Sequence, residues 1–304
     1  MDRVRLMTWC PHSVGGMHLP AFAASAGGWF AEHGLEVEYV PSTSGCEAVA
    51  AGDADFALTS AVHLLTAQSR AAEYLPVRFA ATFHQRNPIA AVVRADCELR
   101  TAADLAGVRA SRWGSPWYAD EFAGALEYLG LERPVLVDTP GSLDEALGSG
   151  TVDVLPMWMD QTTPAKLQGM VLHHAGEPYE VRAIALDLPV FSTGLVAADR
   201  LSTDLVRRMR DAIAAGHELQ RTHPEPGLTA FLRCFSNVSE EYVKVNWALY
   251  EPYAFDIPLP GSMDAGRWRE TIPYVCATHG LPAVADEQVY RPDLLTAEPV
   301  ARST

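Results

Sequence analysis

The chain has 304 residues, 48% of them hydrophobic, with a net charge of −15 and five cysteines. That length builds one large or two ordinary domains and supports a sizeable core. The acidic balance argues against a nucleic-acid partner, and no apolar run reaches the roughly 18 residues of a membrane span.

In chain order, alternation over Val4–Trp9 predicts a first strand, followed by a loop from Pro11 to Gly16. The small-residue run Leu19–His33 predicts one helix stopped by Gly34. A strand at Leu35–Val40, a loop at Ser42–Gly45 and a helix around Glu47–Ala51 come next. Phe56–Ser60 reads as the third strand and Ala61–Ala71 as its helix. Strands at Val77–Phe83 and Ile89–Val93 flank His84-Gln85-Arg86-Asn87-Pro88, of which His84-Gln85-Arg86 is expected near a crossing, against ligand or solvent. A capped turn at Thr101–Leu105, a strand at Val108–Ser111 and a helix from Ser115 to Leu129 open a second unit. Ser115 is a good N-cap and Pro116 a good first helical residue. Val135–Asp138, Leu143–Leu147 and Val152–Trp158 complete it as strand, helix and strand. Gln161–Gln168 reads as helix, and Ala183–Leu188 and Phe191–Ala197 as strands leading back to the first unit. Helices are expected at Thr203–Thr222, Gly227–Phe235, Glu240–Tyr250 and Asp264–His279, with a weakly patterned tail after Pro282.

Residues 47–60 (EAVAAGDADFALTS) are echoed by residues 145–158 (EALGSGTVDVLPMW). Glu-Ala, glycine (Gly52, Gly150) and aspartate (Asp55, Asp153) fall at the same offsets. Each copy spells helix, glycine stop and short apolar strand, and each strand ends in polar or aromatic residues. In α/β sheets that end faces the ligand crevice. Two such ends imply two lobes facing one cleft. Asp53, Asp55 and Glu47 are themselves expected to be solvated.

Candidate site residues gather at these ends. Trp9 offers a flat wall for a planar ligand, with Cys10 and His12 beside it. Cys10 could act as a nucleophile only with a base to lower its pKa, and His12 and His63 are the nearest; a buried thiol is the plainer reading. Thr59, Ser60 and His63 meet where the third strand enters its helix. Arg112, Gly114 and Ser115 precede a helix start, a combination that suits an anion, and Trp117 and Tyr118 add apolar walls. Trp158 and Asp160 close the opposite side. The scattered cysteines and His173-His174 lack metal-ligand spacing, so neither metal nor cofactor is expected. The start MDRVRLMTWCPHS is not a signal peptide, which places the chain in the cytoplasm, or outside it if a leader has been removed.

LMTWCPHSVGGMHLPAFAASAGGWFAEHGLEVEYV resembles type II periplasmic binding proteins of the sulfonate/nitrate/thiamine-precursor branch. The matching positions are Trp9, Pro11, Gly28, Trp29, Phe30, Gly34, Leu35 and Val37. Residues 52–60, TAADLAGVRASRWGSPWYADEFAGALEYLGL and VFSTGLVAADRLSTDLVRRMRDAI extend the match over about residues 4–235. The resemblance implies an α/β fold of two lobes with two hinge crossings and a ligand cleft between them. It divides the chain into 1–87 plus 190–304 and 88–189. It implies a receptor of ABC-importer type for a small anionic, partly aromatic or heterocyclic molecule, with an ABC permease as partner. Thiamine-pyrimidine synthases share the fold and carry a lysine where this chain has Thr59, and a histidine where it has His63. Without that lysine no Schiff base to pyridoxal phosphate forms. Cys10-Pro11 is similar to the nucleophile pair of aryl-sulfinate desulfinases, whose partner histidine and arginine are not matched. The alternative is therefore a cytoplasmic enzyme on the same fold, a lyase or hydrolase of a small aromatic or heterocyclic acid, with Cys10 and His63 as candidate catalytic residues.

Overall fold

The computed structural model describes residues 1–8, 16–41, 45–112, 116–139, 143–159, 171–236, 238–255 and 260–295. The first unit runs β1 (Asp2–Thr8), α1 (Leu19–Ala26), α2 (Trp29–Glu32), β2 (Leu35–Pro41), α3 (Gly45–Ala51), β3 (Phe56–Ser60), α4 (Ala61–Arg70), β4 (Val77–Thr82) and β5 (Ile89–Arg94). The second runs β6 (Arg109–Ser111), α5 (Pro116–Tyr128), β7 (Val135–Val137), α6 (Leu143–Gly148), β8 (Leu155–Trp158), β9 (Val171–His174), β10 (Glu177–Ala185) and β11 (Thr193–Ala198). Helices α7 (Thr203–Thr222), α8 (Pro224–Cys234), α9 (Glu240–Ala254), α10 (Ala265–His279) and α11 (Asp286–Val289) follow.

Two lobes form around two sheets. The first sheet has the order β2-β1-β3-β11-β4, the second β8-β5-β10-β9, with β6-β7 as a separate pair. A single parallel bridge between Ala110 and Val154 joins β6 to the approach of β8. The second lobe therefore reads β7-β6-β8-β5-β10, and its pairings repeat those of the first. β1 lies parallel to β2 and β3, as β6 does to β7 and residue 154. β3 is antiparallel to β11 as β8 is to β5. β11 is antiparallel to β4 as β5 is to β10.

The repeated aspartates sit at equivalent points of this pattern. Asp55 accepts a hydrogen bond from the backbone N–H of Arg5 in β1 (2.8 Å), and Asp153 accepts one from Arg109 in β6 (2.8 Å). Each aspartate's own N–H donates back to that arginine's carbonyl. Asp55, expected to be solvated, is instead a pin between strands. Its carboxylate also pairs with Arg200 at 2.7 Å. Asp53 and Glu47 are exposed.

The helix expected over Leu19–His33 is broken in two. Gly27 ends α1, and Gly28, at φ 78°, takes the left-handed conformation that glycine adopts without strain. The expected strand at Ala183–Leu188 begins earlier, because Val171–Ala185 forms a hairpin turned at Ala175-Gly176, both at positive φ. The tail packs as far as residue 295. Tyr290 bridges to Phe79 and stacks on Trp268 (5.6 Å), which also lies 4.9 Å from Phe79 and 5.1 Å from Phe191. The helix expected at Gln161–Gln168 lies outside the described residues.

The chain crosses between the lobes twice, over 83–88 and 186–192. The crossings pair with each other: Asn87 N donates to Leu188 O (3.0 Å), Leu186 N to Ile89 O (3.1 Å) and Ser192 N to His84 O (3.3 Å). His84 and Gln85 are fully buried here. Arg86 pairs with Asp187 at 2.6 Å.

α10 links the two lobes at the rear. Its Thr271 hydroxyl accepts from Phe191 N (3.0 Å), and its Tyr274 hydroxyl donates to the backbone carbonyl of Glu121 in α5 (3.4 Å). α10 lies so close to α5 that a Cβ at Gly124 would fall 2.2 Å from the Thr278 hydroxyl.

Candidate functional site

The antiparallel β11 starts where β3 and β4 end, so one edge of the first sheet gathers Thr59, Ser60, Thr82, Ser192 and Thr193. All five are buried. Ser60 caps α4 by accepting from His63 N (3.2 Å), and its hydroxyl lies 2.6 Å from His63 Nδ1. Thr59 hydrogen-bonds the thiol of Cys46, whose pKa burial pushes up to about 12. The hydroxyls of Ser192 and Thr193 have no hydrogen-bond partner among the described residues. A buried hydroxyl left unpaired costs about 1–3 kcal/mol.

His63 faces the second lobe. Its ring stacks on Trp117 of α5 at 5.0 Å and 28°, and Trp117 lies 5.9 Å from His279 of α10. Burial lowers the His63 pKa to about 4, with the nearby His279 adding to the effect. At neutral pH it is therefore an uncharged imidazole, able to donate or accept but not to neutralise an anion.

Across the cleft, Tyr118 lies 6.2 Å from Trp158 at 49°. Trp158 is buried, and its indole N–H donates to Glu121 Oε2 at 2.6 Å. Glu121 Oε1 accepts from Asn87 Nδ2 at 2.5 Å. Burial raises the Glu121 pKa to about 7, against the two hydrogen bonds, which lower it. Arg112 is exposed and lies 3.7 Å from Asp138, so its charge is shared with a neighbouring carboxylate.

Of the residues expected at the site, the structure thus groups Thr59, Ser60 and His63, and sets Tyr118 beside Trp158. Trp9, Cys10, His12, Gly114, Ser115 and Asp160 lie outside the described residues. Sequence reasoning missed Glu121, Asn87, Ser192 and Thr193. For Glu121 a signal existed: it is an acid one turn from Tyr118 and Ala125 on a helix face that buries Phe122 and Leu126.

Thr59 presents a hydroxyl where a Schiff base would need an amine, so the site does not fit pyridoxal phosphate held through that position. Among the described residues no cluster of three or more histidine, cysteine or acidic side chains could hold a metal ion. No described helix is long and apolar enough to cross a membrane.

No curated protein matches the sequence. Among solved structures, the chain is similar to the periplasmic aliphatic sulphonate-binding protein SsuA from Escherichia coli, with 16% identity, 99% of this chain and 96% of that one covered, and a TM-score of 0.67. It is similar to the alkanesulfonate-binding protein SsuA from Xanthomonas axonopodis pv. citri bound to MOPS (18% identity, 96% and 99% covered, TM-score 0.60). It is also similar to a variant of DSZB in complex with biphenyl-2-sulfinic acid (16% identity, 97% and 98% covered, TM-score 0.55). These likenesses establish the periplasmic-binding-protein fold. Residues 16–226, more than half of the chain, match the family model described as NMT1/THI5 like, and the chain therefore belongs to the NMT1/THI5-like family.

Proposed function

We propose that this chain is a small-molecule-binding protein of ABC-importer type that closes its two lobes on an anionic ligand with a flat apolar body. In this reading residues 1–87 and 190–304 form one lobe and residues 88–189 the other. The observation that carries it is the pair of buried hydroxyls of Ser192 and Thr193, without a hydrogen-bond partner among the described residues, beside Ser60 and His63. Hydroxyls suit a sulfonate, sulfinate or carboxylate, because they donate to oxygen without holding a charge that must be desolvated when the cleft is open. Tyr118 and Trp158 supply flat apolar surface for the body of such a ligand. Arg112 at the rim supplies attraction. The likeness to two proteins named for sulfonates, one of them bound to MOPS, and to a DSZB variant in complex with biphenyl-2-sulfinic acid supports the same ligand chemistry. The enzymatic alternative rests on Cys10, and the Ser60 hydroxyl is engaged as a helix cap.

The test is a thermal-shift and calorimetric panel of MOPS, alkanesulfonates, arylsulfonates, biphenyl-2-sulfinate and matched neutral sulfonamides. Ligands that bind only the folded state raise its apparent stability. At least one acid is expected to bind more tightly than its neutral match, and Ser192→Ala with Thr193→Val to weaken it by tenfold or more. No preference for any acid, or unchanged affinity in the double variant, refutes the reading. Release of sulfite from the sulfinate would replace it with the enzymatic one.

A further inference from the structure

We propose that Glu121 is a positioning residue: its carboxyl group ties the indole of Trp158 to Asn87, so the orientation of one cleft wall is set from the hinge. The proposal rests on the reading of Trp158 as a ligand wall. The geometry behind it is specific. Each carboxyl oxygen takes one donor, Oε1 from Asn87 at 2.5 Å and Oε2 from Trp158 at 2.6 Å. Asn87 stands at the junction of the two crossings. Its N–H donates to Leu188 O, and its Oδ1 accepts from Ile89 N at 2.9 Å. Ile89 is the register partner of Trp158, and Met159 N donates to Pro88 O. Movement at Asn87 therefore reaches Trp158 by two routes, the backbone ladder and the Glu121 carboxyl. Only the second controls the plane of the indole.

An apolar residue would satisfy the same buried face of α5 at lower desolvation cost, since a buried acid stabilises less than a packed hydrophobe of similar volume unless its position matters. Among the described residues, the titratable group that α10 turns toward Glu121 is Tyr274, whose pKa burial raises well above its ordinary value. β8 brings no titratable side chain. The one on β5, Arg94, is at the far end and paired with Asp96. On the crossings Arg86 pairs with Asp187, and burial lowers the His84 imidazole to about 3. Asp120 on the same helix interacts with His279, whose pKa burial lowers. A proton gained or lost in the neutral range at this point therefore belongs to Glu121.

The experiment uses the full ligand-free chain labelled with 15N at its seven tryptophans. The indole cross-peak of Trp158 is assigned with Trp158→Phe. In the wild type it is expected to move with pH through the neutral range. In Glu121→Gln, whose single amide oxygen still accepts from the indole while its NH2 faces Asn87, it should stay sharp and stop titrating. In Glu121→Met it should shift to a position typical of an indole without that bond. A Trp158 peak that ignores pH in the wild type, or is unchanged in Glu121→Met, overturns the proposal. If Glu121→Met does not fold, the Glu121→Gln comparison decides alone. MOPS titration is a separate arm. If the wild type binds it, Glu121→Met is expected to bind at least tenfold more weakly and Glu121→Gln to recover most of that loss. If the wild type does not bind MOPS, the ligand reading suffers and the indole measurement still decides the role of Glu121.

Discussion

Acidification should destabilise this fold, most clearly through two histidines outside the candidate site. His84 and His217 are wholly buried. His217 Nε2 hydrogen-bonds the Tyr250 hydroxyl at 2.9 Å, its Nδ1 lies 3.1 Å from Ile213 O, and its ring stacks on Phe83 at 4.5 Å. Burial lowers both imidazoles from 6.5 to about 3, and for His84 the neighbouring His217 adds to the effect. The folded state keeps both neutral while the unfolded chain takes up protons below 6.5, so stability is lost as pH falls from there toward 3. Between pH 7 and 5 each histidine should cost about 2 kcal/mol, from roughly 1.4 kcal/mol per proton per pH unit. Glu121 acts in the opposite sense. Its pKa is raised from 4.5 to about 7, so the stability its proton contributes is present at low pH and lost as pH rises through 7. On acidification from pH 7 to 5 it returns about 2 kcal/mol by the same linkage. His63, which burial lowers to about 4, costs about 2 kcal/mol more over the same range, so the net loss is about 4 kcal/mol, a large fraction of the ~5–15 kcal/mol typical of a domain. His217→Phe isolates one contribution. Urea unfolding at pH 7, 6 and 5 should show the variant losing about 2 kcal/mol less than the wild type across that range, whatever its stability at pH 7. An identical pH slope in the two proteins would refute the reasoning.

Removal of the two strand pins should be unequal: Asp55→Ala, at a carboxylate 16% exposed, should cost more than Asp153→Ala at 35%, within about 1–3 kcal/mol each, by urea unfolding. Gly194→Ala places a Cβ 2.1 Å from the Ala81 carbonyl, a backbone atom in mid-sheet, and should lower stability by about 1–3 kcal/mol or more. Gly124→Val should push α5 from α10 at Thr278 and cost a similar amount, read as a drop in melting temperature. Tyr118→Ala should weaken any acid found by the ligand panel by about 1–3 kcal/mol with little change in stability, since the side chain is only partly buried.

Much of this architecture could be read from local chemistry. Phe56–Ser60 and Thr203–Thr222 stand where the short apolar run and the amphipathic pattern place them, and Ser60 and Ser202 cap the helices that follow. The Leu19–His33 break was not read because a glycine pair within a small-residue run does not by itself dictate a stop. The Val171–Ala185 hairpin was missed because an Ala-Gly turn is weaker than Asn-Gly as a signal. At the site, Thr59, Ser60 and His63 were legible because strand end and helix start fix them within four residues. The place of Glu121 on an apolar helix face was legible but its role was not, because its partners Asn87 and Trp158 are 34 and 37 residues away and only the folded sheet unites them. Ser192 and Thr193 reach the edge they share with Thr59 and Ser60 through the return of β11 from the far lobe, a long-range event with no local trace.

That return has a counterpart. β5, the last strand of the first unit, sits between β8 and β10 in the second lobe, while β11, the last strand of the second unit, sits between β3 and β4 in the first. Each half of the polypeptide thus lends one inner strand to the other, a reciprocal domain swap within a single chain. Neither lobe can be completed by its own contiguous half. A cut in the segment between Arg94 and Arg109 should yield two fragments that are each missing a central strand and that restore one another on mixing. The two crossings would then hold as an assembly contact between the fragments rather than as a tether.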